Sequence, residues 1–370
     1  MQLPPFPIEE YYAKHEFTAR YMLSSSDSQS RTIAEVLAFE PDALEALKSH
    51  WLGYTQSPGA PEVRQAVSSI YRRIAPEDTL IVSSAEEGIF VAANVLLGPG
   101  DHAIIEMPCF NSALEVARGV GAEVSLWQRH FADGWAHDLA ALERLIRPNT
   151  KMIYICTPHN PLGLIMDPGV FDVVLQLAAS RGIYVFCDEV FRELEHHPAQ
   201  RLPAACDVYG RAISLGSMSK SYGLPGLRLG WYATQDQPFL SKALAFKNYT
   251  TICSSAPSEF LTALALRHRH ILLERNLEIV HRNLPLLEAF MARQAELFSW
   301  VKPSGSPMAF PRVKLPDVDA FCNQVVRDIS VLLLPGSTYD QPQHLRIGFG
   351  RSNMPEVLQR FESYLNAQGF

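Results

Sequence analysis

Ser214-Leu-Gly-Ser-Met-Ser-Lys220-Ser-Tyr-Gly-Leu-Pro-Gly-Leu-Arg228-Leu-Gly-Trp231 begins as a short apolar run and passes through small residues to a single Lys. Glycines and a Pro then lead through Arg228 into a second apolar run. Strand patterns on either side hold such a loop at the edge of a sheet, and loops there carry chemistry. Lys220 stands between two small hydroxylated residues, Ser219 and Ser221, which leave room for a bulky group on its amine. A Lys so placed can form a Schiff base if burial or nearby cations bring its pKa down from about 10.4. Read alone, it is more simply a solvated surface charge.

The surrounding chain repeats the pattern. Short apolar runs recur at 80–82, 102–105, 124–126, 152–156, 183–187, 212–215 and 227–232, and helical periodicity at 86–97, 112–119, 138–146 and 169–181 separates several of them. This alternation predicts an α/β fold with a mainly parallel seven-stranded sheet and helices on both faces. A long helical region at 258–298 follows, with a bend expected near Pro285. Beyond it come strands at 300–303 and 309–313, a helix at 318–328, strands at 331–334 and 344–347, and a last helix at 355–367. The expected division is an arm and first helix at 1–45 belonging to the small domain, a large domain at 46–260, and a small α+β domain at 261–370.

The first 30 residues are irregular, with a polar run at 24–30 that suits a tail or linker. Tyr11, Tyr12, His15, Phe17, Tyr21 and Met22 argue instead for a docked arm, since free tails carry few aromatics. A helix is expected at 32–47, with Asp42-x-x-Glu45 as a capping box inside it.

At 370 residues the chain exceeds what one hydrophobic core normally serves. Apolar residues at 47% and charged ones at 19% exclude wholesale disorder. A net charge of −7 argues against nucleic acid or an anionic membrane as the main partner. The six Cys show neither Cys-x-x-Cys nor metal-ligand spacing, so reduced thiols and no metal are expected. The N-terminus lacks the pattern of a secretory signal, and no apolar stretch approaches about 20 residues, so a cytoplasmic protein without a membrane partner is expected.

Each strand end leaves a directional group. Ser83-Ser84-Ala85-Glu86-Glu87 can cap a helix whose free N–H groups suit a phosphate, or be an ordinary N-cap. Phe110 follows the second run as a core ring or a stacking one. Asn160 is set between two prolines in Thr157-Pro-His-Asn-Pro-Leu-Gly163, and Asp188 ends an apolar run. A buried Asp needs a partner, which suggests a cation. Together Asn160, Asp188, Lys220 and Arg228 supply what a pyridoxal phosphate site requires: an oxygen donor, an acid for the ring nitrogen, a Schiff-base Lys and a phosphate cation.

With these residues the sequence resembles the fold-type I pyridoxal-phosphate enzymes, in particular the class I/II aminotransferases, from about residue 50 onward. The resemblance implies that Lys220 is the Schiff-base Lys and general acid/base, Asp188 pairs with the ring nitrogen, and Asn160 bonds the ring oxygen and adjoins the substrate. It implies Phe110 stacked on the ring, with Ser84, Ala85, Glu86, Ser217, Ser219 and Arg228 around the phosphate. It further implies that Tyr54 reaches the phosphate of a neighbouring subunit, hence a homodimer, and that Arg346 clamps the substrate α-carboxylate. Glu9, His15 and Ser25 of the arm are candidates for the substrate side chain.

Two positions depart from the family pattern. Phe191 stands where Tyr is usual, which removes a donor to the ring oxygen, and Leu162 stands where Thr is usual. The implied activity is transamination of an L-α-amino acid to a 2-oxo acid. The alternative is elimination or cyclisation of a hydroxylated arginine, in the manner of capreomycidine or enduracididine synthases, with the acids Glu9, Glu10, Glu16 and Asp27 gripping a cationic side chain. A non-catalytic regulator on this scaffold would need a DNA-binding segment or loss of the Lys, and the chain has neither.

Overall fold

The computed structural model describes residues 1–369. Seven strands form the central sheet: β1 Thr79–Val82, β2 His102–Met107, β3 Glu123–Gln128, β4 Thr150–Cys156, β5 Tyr184–Asp188, β6 Ala212–Ser217 and β7 Gly230–Ala233. Their order across the sheet is β1-β7-β6-β5-β4-β2-β3. Only β7 runs against its neighbours; β3, β2, β4, β5 and β6 pair in parallel.

Alternation along each strand builds a core on both faces. Leu80, Val82, Ala103, Ile105, Met152, Tyr154, Phe186, Ile213, Leu215 and Tyr232 join one cluster with the helices Ala85–Leu96, Asn111–Gly119 and Gln237–Lys247. The intervening Ile104, Ile153, Ile155, Val185, Cys187 and Ala212 join another with the helix Pro168–Arg181. Ile81, Trp231 and Ala233 pack against Pro61–Ser68 and Ala256–Arg267. The period of two therefore sorts each strand between two layers of helix, as a parallel sheet requires.

A further core is built from both ends of the chain. Tyr21 and Leu23 pack with Val280, Leu287, Phe290, Val325, Val331, Ile347 and Phe361. Tyr21–Met22 pairs in parallel with Val331–Leu332, which fastens the arm to the C-terminal region. The arm begins with the helix Pro7–His15, whose Ile8 is buried with Trp135, Leu162, Phe310 and Tyr339.

Several local expectations change. The helix expected at 32–47 is two short ones, Ile33–Leu37 and Ala43–Lys48, because Pro41 interrupts the pattern. The capping box is Thr32–Glu35; Asp42 makes no side-chain cap. The 258–298 region is also two helices, Ala256–Arg267 and Arg269–Arg293, divided at His268, and the second continues through Pro285. All six Cys are free, five of them buried. Among the described residues no helix is long and apolar enough to cross a membrane, and no cluster of His, Cys, Asp and Glu is placed to hold a metal.

Candidate active site

Because β4, β5 and β6 run in parallel, their carboxyl ends lie along one edge of the sheet, where ligands of such sheets bind. Asn160 follows β4, Asp188 ends β5, and Ser217, Ser219 and Lys220 follow β6. All five face one cavity of about 550 Å³ with Ser84, Ala85, Glu86, Phe110, Arg228 and Arg346. Residues scattered over more than 260 positions thus converge.

Asp188 is buried, at 6% exposure. Tyr154 Oη donates to its Oδ2 at 3.1 Å and the Val190 N–H to its Oδ1 at 3.2 Å. Both donors are neutral, and burial pushes the carboxyl up to about 6. Burial acts on Lys220 in the other direction, lowering its pKa; Arg346 adds to the lowering, while Asp27 and Asp188 oppose it. An amine so placed is closer to the neutral, nucleophilic form than a surface Lys.

The helix Ala85–Leu96 starts at the cavity. Ser84 Oγ accepts from the Glu87 N–H at 3.2 Å, whereas Ser83 donates its own N–H to Glu87 Oε2 at 2.6 Å, so only Ser84 caps. Ala85 and Glu86 lie in the first turn, whose N–H groups lack partners within the helix. Gly230 passes behind them, and a Cβ there would stand 2.9 Å from the Ala85 nitrogen. Ser217 Oγ and Ser219 Oγ share a hydrogen bond of 2.8 Å beside this turn's cavity wall. Arg228, in a left-handed conformation at φ 48°, is held by its own bond to the Pro225 carbonyl at 3.0 Å.

At the opposite side the Arg346 guanidinium is almost saturated. Its Nε donates to the Ser24 carbonyl at 3.0 Å, Nη1 to Asn160 Oδ1 at 3.2 Å and to Tyr339 Oη, and Nη2 to Tyr12 Oη at 2.7 Å. Tyr339 Oη also donates to Asn160 Oδ1, at 3.1 Å. With its oxygen so engaged, the Asn160 amide has its nitrogen left to donate toward the cavity.

The arm closes the remaining side. Glu9, Tyr12, Glu16, Ser25, Ser26 and Asp27 line the cavity, so the polar run at 24–30 is neither tail nor linker. Asp27 pairs with Arg351 at 3.0 Å, while Glu9 and Glu16 have no ion pair among the described residues. Burial raises the Glu16 carboxyl above its usual range, and Glu9 and Asp27 push it the same way. Phe191, 1% exposed, fills the position opposite.

Two of the candidate residues lie apart. His15 packs its ring on Tyr11 at 4.9 Å and does not line the cavity. Tyr54 is 84% exposed, on the same surface class as Trp51, Leu52 and Tyr249. Tyr12, Tyr339 and Ser26 were not singled out as site residues by sequence. Nothing in local periodicity marks a hydroxyl whose partner lies 179, 194 or 334 residues away, as for Tyr339 with Asn160, Ser26 with Lys220 and Tyr12 with Arg346.

A family model described as aminotransferase class I and II matches residues 22–361. The chain belongs to this family. It is 30% identical over 352 residues to a capreomycidine synthase of Streptomyces vinaceus, covering 94% of this chain and 90% of the relative. It is 25% identical over 342 residues to an aspartate aminotransferase of Thermotoga maritima, covering 88% and 87%. Among solved structures, a PLP-dependent aminotransferase from Streptococcus suis superposes with a TM-score of 0.93 at 31% identity over 99% of both chains. The PLP-dependent cyclase OrfR does so at 0.92 and 25% identity, over 100% of this chain and 98% of that one.

This is therefore a pyridoxal-phosphate enzyme of the aminotransferase family. The residues present fit the cofactor. Asp188 is a buried carboxylate bonded only to neutral donors, and a protonated ring nitrogen would supply its missing cation. The bare Gly230 behind the helix start leaves the N–H groups of the first turn accessible to an anion.

Proposed function

We propose that this enzyme acts on an L-α-amino acid with a cationic, guanidino-bearing side chain, and that it eliminates and cyclises instead of transferring the amino group. The observation that carries this is the pair of unpaired arm carboxylates, Glu9 and Glu16, facing the same cavity as Lys220 and Arg346. Burial, Glu9 and Asp27 raise the Glu16 carboxyl against the opposing pull of Arg351 and Lys220, so a further cation in the cavity would favour its ionised form. The similarity to a capreomycidine synthase and to a cyclase supports the same reading.

Bound pyridoxal phosphate would supply an aldehyde for the substrate amine and an electron-withdrawing protonated ring. Asp188 would hold the proton on the ring nitrogen, and Asn160 would donate to the ring oxygen. Phe110 would be the aromatic neighbour of the ring. Ser84, Ala85, Glu86, Ser217, Ser219 and Arg228, which line the same cavity, would hold the phosphate. Arg346 would be the cation for the α-carboxylate, with one Nη2 N–H not engaged by Ser24, Asn160, Tyr339 or Tyr12. Ser25 and the arm exclude water. Lys220 Nζ takes the proton from Cα and later returns it. Between those events the β-hydroxyl leaves as water and a guanidino nitrogen, losing its own proton, closes onto Cβ. One C–O bond breaks, one C–N bond forms, and one water is lost. Phe191, buried where a phenol is usual, offers no second donor to the ring oxygen.

Transamination is the second reading, favoured by the intact set of Lys220, Asp188, Asn160 and Arg346 and by the similarity to the S. suis aminotransferase. Incubation with arginine or β-hydroxyarginine plus a 2-oxo acid separates the two. Loss of one water with no new amino acid from the acceptor supports cyclisation. Amino acid formed from the acceptor sinks it in favour of transfer. Tyr54, exposed beside Trp51 and Leu52, fits a role at the phosphate of a second subunit, making the active unit a homodimer. A monomer that retains full activity in sedimentation-matched assays would refute that arrangement.

A further inference from the structure

Ser26 is tied to the chemistry by one contact. Lys220 Nζ donates to Ser26 Oγ at 2.8 Å, the one hydrogen bond that its amine makes among the described residues. Ser26 is buried, at 8% exposure, and lines the cavity. Its place is fixed from both flanks. On one side the Leu23 N–H bonds the Leu332 carbonyl at 3.0 Å and the Gly348 N–H bonds the Leu23 carbonyl at 2.8 Å. On the other, Asp27 holds Arg351 and the Gln29 N–H bonds the Gly350 carbonyl at 2.9 Å. Gly348 has to be bare because the Ser25 carbonyl fills the space of a Cβ.

We propose that Ser26 is a positioning residue for Lys220, its hydroxyl holding Nζ against the substrate Cα through both protonation states of the amine. The inference rests on the proton-transfer role given to Lys220 above, and is the same for cyclisation and for transfer. In the step concerned the Cα–H bond breaks and an N–H bond forms on the Nζ lone pair; the electron pair left on Cα is what the electron-withdrawing ring, when bound, would take up. The neutral amine accepts the Ser26 O–H; the ammonium donates to the same oxygen. One hydroxyl therefore serves both states without a change of place. The charges that face Nζ are Asp27 and Glu9 from the arm, Asp188 from β5 and Arg346 from the strand Leu345–Gly348. They set its field but do not fix its direction, which a hydrogen bond does.

The test compares Ser26→Ala, Ser26→Thr and Lys220→Ala in the holoenzyme, with substrate carrying hydrogen or deuterium at Cα. Ser26→Ala is expected to lower kcat by about tenfold or more, with KM nearly unchanged and a larger isotope effect. Ser26→Thr, which keeps the hydroxyl, restores most of the rate. A second readout uses the cofactor-free protein. The pH dependence of the rate at which Lys220 reacts with pyridoxal phosphate, with Lys220→Ala as blank, gives the amine's pKa. Ser26→Ala should lower it by about one unit, because the hydroxyl favours the charged form. Unchanged kcat, isotope effect and lysine pKa in Ser26→Ala would overturn the proposal. So would equal losses in the Ala and Thr variants accompanied by a lower Tm, which mark a packing role. Full activity in Lys220→Ala would instead overturn the role of the lysine, and the two failures are thus distinct.

Discussion

Asp188 and Lys220 stand on one side of the cavity, Tyr12 and Ser26 on the other, and the two sides are held in different ways. The first side consists of the ends of β5 and β6, two interior strands paired in parallel with each other and backed by buried clusters on both faces. The second is a stretch of irregular chain held by a two-residue pairing, an ion pair to Arg351 and hydrogen bonds to Gly350 and Leu332. A strand end cannot shift without disturbing the packed sheet. The arm is anchored by Ile8, Tyr21 and Leu23 in buried clusters, but between those anchors its cavity-facing residues are held mainly by polar contacts, which open at lower cost than a packed sheet. On the roles proposed above, the lesson is a division of labour: the sheet side supplies the acid and the lysine, while the arm side faces the substrate and, through Ser26 alone, orients that lysine.

Four changes break or sharpen this division. Asp188→Asn, on the sheet side, is expected to cost about 10³-fold in kcat while cofactor is retained, because it removes the charge that keeps the ring protonated. Absorbance of the bound cofactor measures retention. In the unliganded enzyme Asp188 titrates near 6, above the ordinary Asp value. A cofactor cation pairs only with the ionised form, so cofactor affinity should weaken as pH falls through about 6, and Asp188→Asn should abolish that dependence. Equilibrium dialysis across pH 5 to about 8 reports it.

Arg346→Lys lies at the junction of the two sides. It should lower kcat/KM by about 100-fold, mainly through KM, since an ammonium cannot form the paired bonds of the guanidinium. If kcat falls as much as KM rises, the arginine is positioning the reacting atoms and the division fails there. Glu9→Gln combined with Glu16→Gln should raise KM for a guanidino substrate by about tenfold and leave neutral amino acids unaffected. An equal effect on both substrate classes would remove the arm acids from recognition. Tyr12→Phe deletes the hydroxyl that accepts from Arg346 Nη2 and donates to Ser24, so KM should rise about fivefold with only a small change in Tm.

The same contrast explains how much was legible in the sequence. The sheet side followed from short apolar runs and from the polar residues after them, because a strand buried on both faces has a distinctive composition and its end lies next to it in sequence. Asn160, Asp188, Lys220 and Arg228 could therefore be singled out from the chain itself, whereas Ser217 came only with the family resemblance. The arm side could not. Its aromatics argued that it docks, and its acids suggested a cation, but Tyr12 meets Arg346 across 334 positions and Ser26 meets Lys220 across 194. No local preference encodes such a pairing. Boundaries also moved where a proline or a cap was misread, as at Pro41 and at the Thr32–Glu35 box. His15 shows the opposite error: a plausible residue type in the right segment, turned onto Tyr11 and away from the cavity.

The pairing of Tyr21–Met22 with Val331–Leu332 has a consequence for the order of events in synthesis. The segment the arm pairs with emerges from the ribosome about 310 residues after the arm itself. The sheet, complete by Ala233, can collapse around its own helices in the meantime. A nascent chain thus acquires the lysine and its acid well before it acquires the clasp on Arg346. Catalytic competence arrives only once both partners of that pairing, far apart in the sequence, have been made and have met.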